Sequence, residues 1–208
     1  MVEFITKGGW IMLPLALCSL LSVTIIIERL VFFRRVHAAG QADKVLNLLN
    51  QGQVTEALAV VKGAKAPLVR VLVAGMIQRY NSTKAMEAAG IAEVAAMKRG
   101  LPVLDTIITL SPLLGLLGTI IGMISSFQLM SVGGMGQPHA VTGGVAEALI
   151  ATATGITVAV ITLIPYNYFL ARIERETEVI EQYATKLEIT LDTLPQRGDR
   201  HEDTKKYA

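Results

Sequence analysis

Charge is what this chain of 208 residues has too little of: Asp, Glu, Lys and Arg make up 17% of it, against 52% hydrophobic residues. Its mean hydropathy is +0.50. A soluble domain carries about a quarter charged residues, so a fold meant for water would lack its polar coat here. Cysteine is nearly absent, and the single Cys18 excludes an internal disulfide. The three histidines, His37, His139 and His201, lie far apart and lack metal-ligand spacing, so no metal is expected. A net charge of +2, with no Lys/Arg run interleaved with aromatics, argues against a nucleic-acid partner. No P-loop, HExxH, GxSxG or cysteine–histidine arrangement occurs, so neither an enzyme nor a cofactor is expected. The Gly115–Gly122 segment GLLGTIIG lacks the Lys-Ser/Thr that a phosphate loop requires.

Long apolar runs are what the chain has in abundance. A bilayer core of about 30 Å needs roughly 20 consecutive, mainly apolar helical residues, and three stretches meet that requirement. Gly8 to Ile27 carries no charge. Thr106 to Ala146 is also uncharged, and Gly133-Gly134-Met135-Gly136-Gln137-Pro138 interrupts it; such a cluster ends one helix and turns the chain. Val145 to Leu170 contains one charge, Glu147. The expected fold is therefore an all-α integral membrane protein with three transmembrane helices, over 10–33, 105–130 and 145–170. A short outer N-terminus (1–9), a cytoplasmic helical region (34–104), an outer Gly-rich turn (131–144) and a cytoplasmic helical tail with a disordered end (171–208) complete it, with long second and third helices extending into the cytoplasm. The first run also resembles a cleaved leader with Lys7 before it. No small-residue cleavage site comes after it, however, and Arg29, Arg34 and Arg35 would hold it as an anchor.

Cationic residues give the orientation. Of the 19 Lys and Arg, Lys7 alone precedes the first span, and none lies between Met130 and Glu147. The rest fall between Arg29 and Arg99 or from Arg172 onward. Lys and Arg collect on the cytoplasmic side, which predicts an outward N-terminus and an outward Gly-rich turn.

The segment between the first two spans reads as short helices. Asp43 to Asn50 would stop at Gly52, and Val54 to Lys62 at Gly63. Pro67 can start a third helix toward Tyr80, since its missing N–H costs nothing at a first helical position. Asn81-Ser82-Thr83 offers caps for a fourth through Lys98, with Gly100 and Pro102 able to kink its connection to the second span. Together these predict a small helical bundle under the membrane. In the tail, Ile173, Thr177, Ile180, Ala184, Leu187, Leu191 and Leu194 fall at heptad-like spacing and predict a packed helix. The polar residues past Pro195 predict disorder.

Small residues mark the two inner spans. On a 100° wheel Gly115, Thr119, Gly122 and Ser126 form a narrow stripe, with Pro112 close by, and Gly118 and Gly122 make a GxxxG. Ala148, Thr152, Gly155, Ala159 and Thr162 repeat the pattern on the third span. Small residues let helices approach where lipid supplies no hydrophobic drive. Two readings stand: close packing alone, or a narrow polar seam in which Thr119, Thr152 and Thr162 carry the hydroxyls. Glu147 also has two. An ionisable side chain inside a span costs roughly 2.5–3.5 kcal/mol near the centre. It is either an interfacial residue that snorkels or a buried carboxylate facing a pore, where it tunes or relays a cation, by default a proton. No span carries a titratable group near its middle, and three helices are too few to enclose a pore. A channel would thus have to be a homo-oligomer whose partner inserts the missing carboxylate.

Pro112-Leu113-Leu114-Gly115-Leu116-Leu117-Gly118-Thr119 resembles the second-span signature of the MotA/TolQ/ExbB proton channel family. Glu147 through Gly155, with Pro165-Tyr166-Asn167 beyond, is similar to that family's third span, and Gly8-Gly9-Trp10 through Pro14 with Glu28-Arg29-Leu30 resembles the start of its ExbB-like members. Three spans rather than four argue against the flagellar branch. The resemblance implies a pentamer in a bacterial inner membrane that encloses a single-span, ExbD-like partner bearing a transmembrane aspartate. Proton flow would drive a TonB-like protein and power transport across an outer membrane. By motif position the resemblance makes Thr119, Glu147 and Thr152 pore-lining residues of the proton path. It makes Pro112, Gly115, Gly118, Gly122, Ala148, Gly155 and Ala159 the packing residues of the ring. A TolQ-like role in the Tol-Pal system and a non-conducting membrane scaffold are the competing expectations. A secondary transporter is disfavoured by three spans without an inverted repeat.

Overall fold

The structure is a computed structural model, and it describes residues 9–34, 39–51, 53–61, 66–133 and 138–193. The described residues are helical almost throughout and include no strand. In chain order the helices are α1 (Met12–Arg34), α2 (Ala39–Asn50), α3 (Val54–Val61), α4 (Pro67–Ile77), α5 (Ser82–Lys98), α6 (Leu101–Gly133) and α7 (Pro138–Thr193), with a 3₁₀ turn at Arg79–Asn81. The glycine stops expected at Gly52 and Gly63, the centre of the Gly-rich turn and the polar end past Pro195 lie outside the described residues.

The chain divides into two compact units, Met1–Phe32 with Lys98–Ala171, and Phe33–Met97 with Arg172–Ala208. The first holds α1, α6 and the N-terminal part of α7. Its α6 begins abruptly because Gly100 adopts a φ of +82°, a left-handed conformation that ends α5 at no steric cost to glycine. Pro102 then sits in the first turn of α6, where the missing N–H is harmless. At the other end Pro138 opens α7 by the same logic, so helix occupies more of 131–144 than the sequence pattern predicts. Helix α1 packs through Met12 and Leu15, with Ile11 just before it, against Leu114 and Ile121 of α6. Lower down, Cys18 meets Ile107 and Val158.

Each of three helical segments is long and apolar enough to cross a bilayer, with mean hydropathies of 2.1, 2.1 and 2.0 in their most apolar windows. Only 22, 28 and 33% of those windows is buried within the chain, so most of their surface must meet lipid or another subunit. Apolar helices left this bare are not compatible with water, and the chain is a membrane protein.

The second unit gathers α2 to α5 and the C-terminal part of α7 around its own core. Val45, Leu49, Val69, Leu72, Met97 and Leu187 are fully buried there. The expected heptad positions Ile173, Ile180, Leu187 and Leu191 are all buried. Polar ties fasten the same face: the Tyr183 hydroxyl donates to Asp43 at 2.5 Å, Thr83 to Glu188 at 2.5 Å, and Thr190 to Asn50 at 3.3 Å. Arg70 pairs at 3.0 Å with Glu93, whose carboxylate is largely buried. The hydrogen bond to Asp43, with burial and the Asp43 charge behind it, pushes the Tyr183 hydroxyl above its ordinary pKa. That tie is therefore complete at neutral pH and lost only as pH rises past the tyrosine range.

Candidate functional site

The two small-residue stripes meet each other. A Cβ placed on Gly115 would lie 2.9 Å from Thr152 Cα; one on Gly118 would lie 2.6 Å from Ala151 Cβ; one on Gly122 would lie 2.9 Å from Ala148 Cβ. A Cβ on Gly155 would run into the Ser111 carbonyl and stand 3.2 Å from Gly115 Cα. Glycine at these positions brings the α6 and α7 backbones into direct contact, antiparallel, from Gly144 and Ser126 at one end to Gly155 and Ser111 at the other. Ala148 and Ala159 are buried in the same seam, and Pro112 is half-buried beside it.

The hydroxyls divide by role. Thr152 Oγ1 reaches across and donates to the Gly115 carbonyl at 2.8 Å, a bond between helices. Thr119 is half-buried and donates to Leu116 of its own helix at 2.7 Å, so it does not meet Thr152. Thr162 is fully buried and bonds Val158 of its own helix at 2.7 Å. Glu147 is exposed, and its carboxylate lies against Gly9 at the start of the chain. On the helical wheel Glu147 falls on the flank of α7 that α1 approaches. Thr152 falls on the other flank.

Three features escaped the sequence reading. Ser111 continues the stripe one step below Gly115, and it is fully buried with its hydroxyl unpartnered among the described residues. A buried hydroxyl without a partner costs about 1–3 kcal/mol. Ser111→Ala is therefore expected to raise the melting midpoint in detergent, by roughly 1 kcal/mol of stability. A clear fall would show that the hydroxyl is bonded in the assembled protein. The second feature is Ala151, which fills the space opposite Gly118. The third is the approach of Asp105 on α6 to Tyr166 on α7, whose hydroxyl feels the carboxylate charge. Ser111 and Ala151 could have been found by extending the stripes, whereas the Asp105–Tyr166 pair needs the register of the helix pair.

Among the described residues no group of three or more His, Cys, Asp or Glu could hold a metal. The arrangement is a tight helical hairpin with a threonine-bearing flank, bounded by one carboxylate at each end.

The chain is similar to known proteins of one family. The profile of the MotA/TolQ/ExbB proton channel family matches residues 55–182. A biopolymer transport protein of Synechocystis sp., ExbB-like 3, is 35% identical over 190 residues, which is 88% of this chain and 90% of that one. A second from the same organism, ExbB-like 1, is 35% identical over 198 residues, 90% of this chain and 77% of that one. The Tol-Pal system protein TolQ of Pseudomonas aeruginosa is 40% identical over 91 residues, 44% of this chain and 39% of that one. The family match covers more than half of the chain and takes in both inner spans, and the chain belongs to the MotA/TolQ/ExbB proton channel family.

Proposed function

We propose that this chain is the ExbB-like subunit of a proton-driven motor in a bacterial inner membrane. It would assemble as a pentamer around an ExbD-like single-span partner and couple the proton motive force, through a TonB-like protein, to transport across the outer membrane. The observation that carries this reading is a combination within the first unit. A sealed α6–α7 seam presents a half-exposed threonine flank, yet no acidic, basic or histidine side chain occurs between Asp105 and Gly133 or between Ala148 and Ala171. Such a surface can line a proton path but holds no group to carry the charge at its centre, so a partner's carboxylate must do so. Thr119 and Thr152 would line the lumen, and Glu147, on the α1 side of α7, would tune entry from the outer rim. The ring interior would be built on the close approach of Pro112, Gly115, Gly118, Gly122, Ala148, Gly155 and Ala159. Positive-inside bias supports an outward N-terminus.

The chain-long similarity to ExbB-like proteins favours this role over a TolQ-like one, since the TolQ similarity covers less than half of the chain. A scaffold reading rests on a separate observation: Thr152 spends its hydroxyl on the Gly115 carbonyl, as a residue that only packs helices would. Co-expression with a single-span, aspartate-bearing protein encoded in the same genome separates them. The purified complex should have the mass of five 22.4 kDa chains plus the partner and should conduct protons in vesicles. A stable ring that takes up no partner and leaks no protons would leave only the scaffold.

A further inference from the structure

A proton that crosses the membrane along a ring of these helices must be handed to the inner aqueous phase. The described residues offer one carboxylate on α6 for that step. Asp105 is the only acidic residue of α6 and stands in its second turn, where the side chain is exposed. Across the seam, the Asp105 charge acts on the Tyr166 hydroxyl.

The helix register places this pair. Asp105, Pro112, Thr119 and Ser126 recur every seven residues along α6, and Val145, Thr152, Ala159 and Tyr166 do the same along α7. Seven residues are nearly two turns, so each series runs as one line along its helix. Helix α1 takes the other side, through Ile107, Leu114 and Ile121 of α6 and Val158 of α7. The Asp105–Tyr166 pair therefore lies at the foot of the same flank that carries Thr119 and Thr152. From Glu147 to Tyr166 is about 28 Å of helix rise at 1.5 Å per residue, close to the ~30 Å hydrocarbon thickness. Glu147 marks the outer level on the opposite flank, and Asp105 is the carboxylate at the foot of the threonine flank.

We propose that Asp105 is the inner proton acceptor of the path, with Tyr166 as the residue that positions it. The inference rests on the channel reading above. The Asp105 carboxylate takes the proton delivered along the threonine flank, becomes a carboxylic acid, and releases the proton to water, which restores the carboxylate. Tyr166 donates to the ionised carboxylate and holds it at the seam between transfers. Of the other charged groups at this end of the unit, Arg29 pairs with Glu28 at 2.8 Å, Arg99 also acts on Glu28, and Lys98 is exposed at the start of the unit. Tyr166 is the titratable group shown facing Asp105.

The test is proton flux in proteoliposomes that hold the full complex with its single-span partner in sorted orientation, driven by an imposed potential. Asp105→Asn should lower flux by at least about tenfold, the scale of a positioned proton-transfer group, with the complex intact by sizing. Asp105→Glu should restore most of it. Tyr166→Phe should lower it about threefold, the low end of the range for loss of one hydrogen bond, as suits an exposed carboxylate. Acidifying the inner side should inhibit wild type by filling the acceptor, and Asp105→Asn should lose that dependence. If Asp105→Asn conducts like wild type while Thr152→Ala does not, the acceptor assignment is overturned and the channel stands. If wild type itself conducts nothing, the channel reading falls and takes this with it. If Asp105→Asn and Asp105→Glu both dissociate the complex, Asp105 is a helix staple and the assignment is likewise overturned.

Discussion

Gly155→Leu is expected to dismantle the α6–α7 pair and with it the assembled protein. The position has no room: a Cβ there already meets the Ser111 carbonyl and approaches Gly115 Cα at 3.2 Å, and both are backbone. A side chain can rotate away from an intruder, but two packed backbones must separate along their length. Overpacking of an ordinary core costs about 1–3 kcal/mol, and a clash with backbone belongs at or beyond the upper end. Separation would also break the Thr152–Gly115 hydrogen bond and open the contacts at Gly118 and Gly122. Size-exclusion profile and melting midpoint in detergent are the measurements. Gly143 on the same helix is the control, because nothing lies within 4 Å of its added Cβ. Gly143→Ala should be neutral or stabilising by roughly 0.5–1 kcal/mol, the ordinary gain of alanine over glycine in a helix. Equal tolerance at the two positions would mean that the seam is not close-packed in the membrane.

Thr152→Val should behave in the opposite manner, leaving the assembly standing while its work fails. Valine matches threonine in shape, so the seam keeps its packing and loses one interhelical hydrogen bond. Such bonds average about 0.6 kcal/mol within membranes, too little to unfold a helix pair. If the hydroxyl also passes protons, proton-driven activity should fall by about tenfold or more, and Thr152→Ser should recover it. Glu147→Gln should likewise spare assembly and depress activity. Its carboxylate lies in the open against Gly9, where loss of charge removes no buried contact. Full activity in both Thr152→Val and Glu147→Gln would remove the two residues from the path and leave packing as their whole role. The two experiments read different properties of one seam, glycine for shape and threonine for chemistry.

Much of the fold is legible in the sequence because it is local. The three spans come from runs of apolar residues, the start of α4 from Pro67, and the break before α6 from Gly100. The buried positions of the tail come from the heptad spacing of Ile173, Ile180, Leu187 and Leu191. The stripes themselves are visible as Gly, Ala and Thr at helical intervals. What they face is not. Periodicity says that a face is special, yet lipid, another helix of the chain and a pore would all accept small residues. The Thr152 hydroxyl illustrates the limit. Its partner is the Gly115 carbonyl, 37 residues away, and no pattern near either residue names the other.

Composition and period alone determined that the chain is an all-α membrane protein with three spans, two of them built for close approach. These properties depend on each residue's preference for lipid, water or a helical turn, and they add up along the chain. The tertiary structure decided the register of the α6–α7 pair. It thereby decided that Gly155 abuts Ser111, that Thr152 crosses to Gly115, that Glu147 turns toward the start of the chain, and that Asp105 finds Tyr166. Register is a property of two backbones at once: sliding one helix by a single turn would keep every local preference satisfied and change every one of these partners.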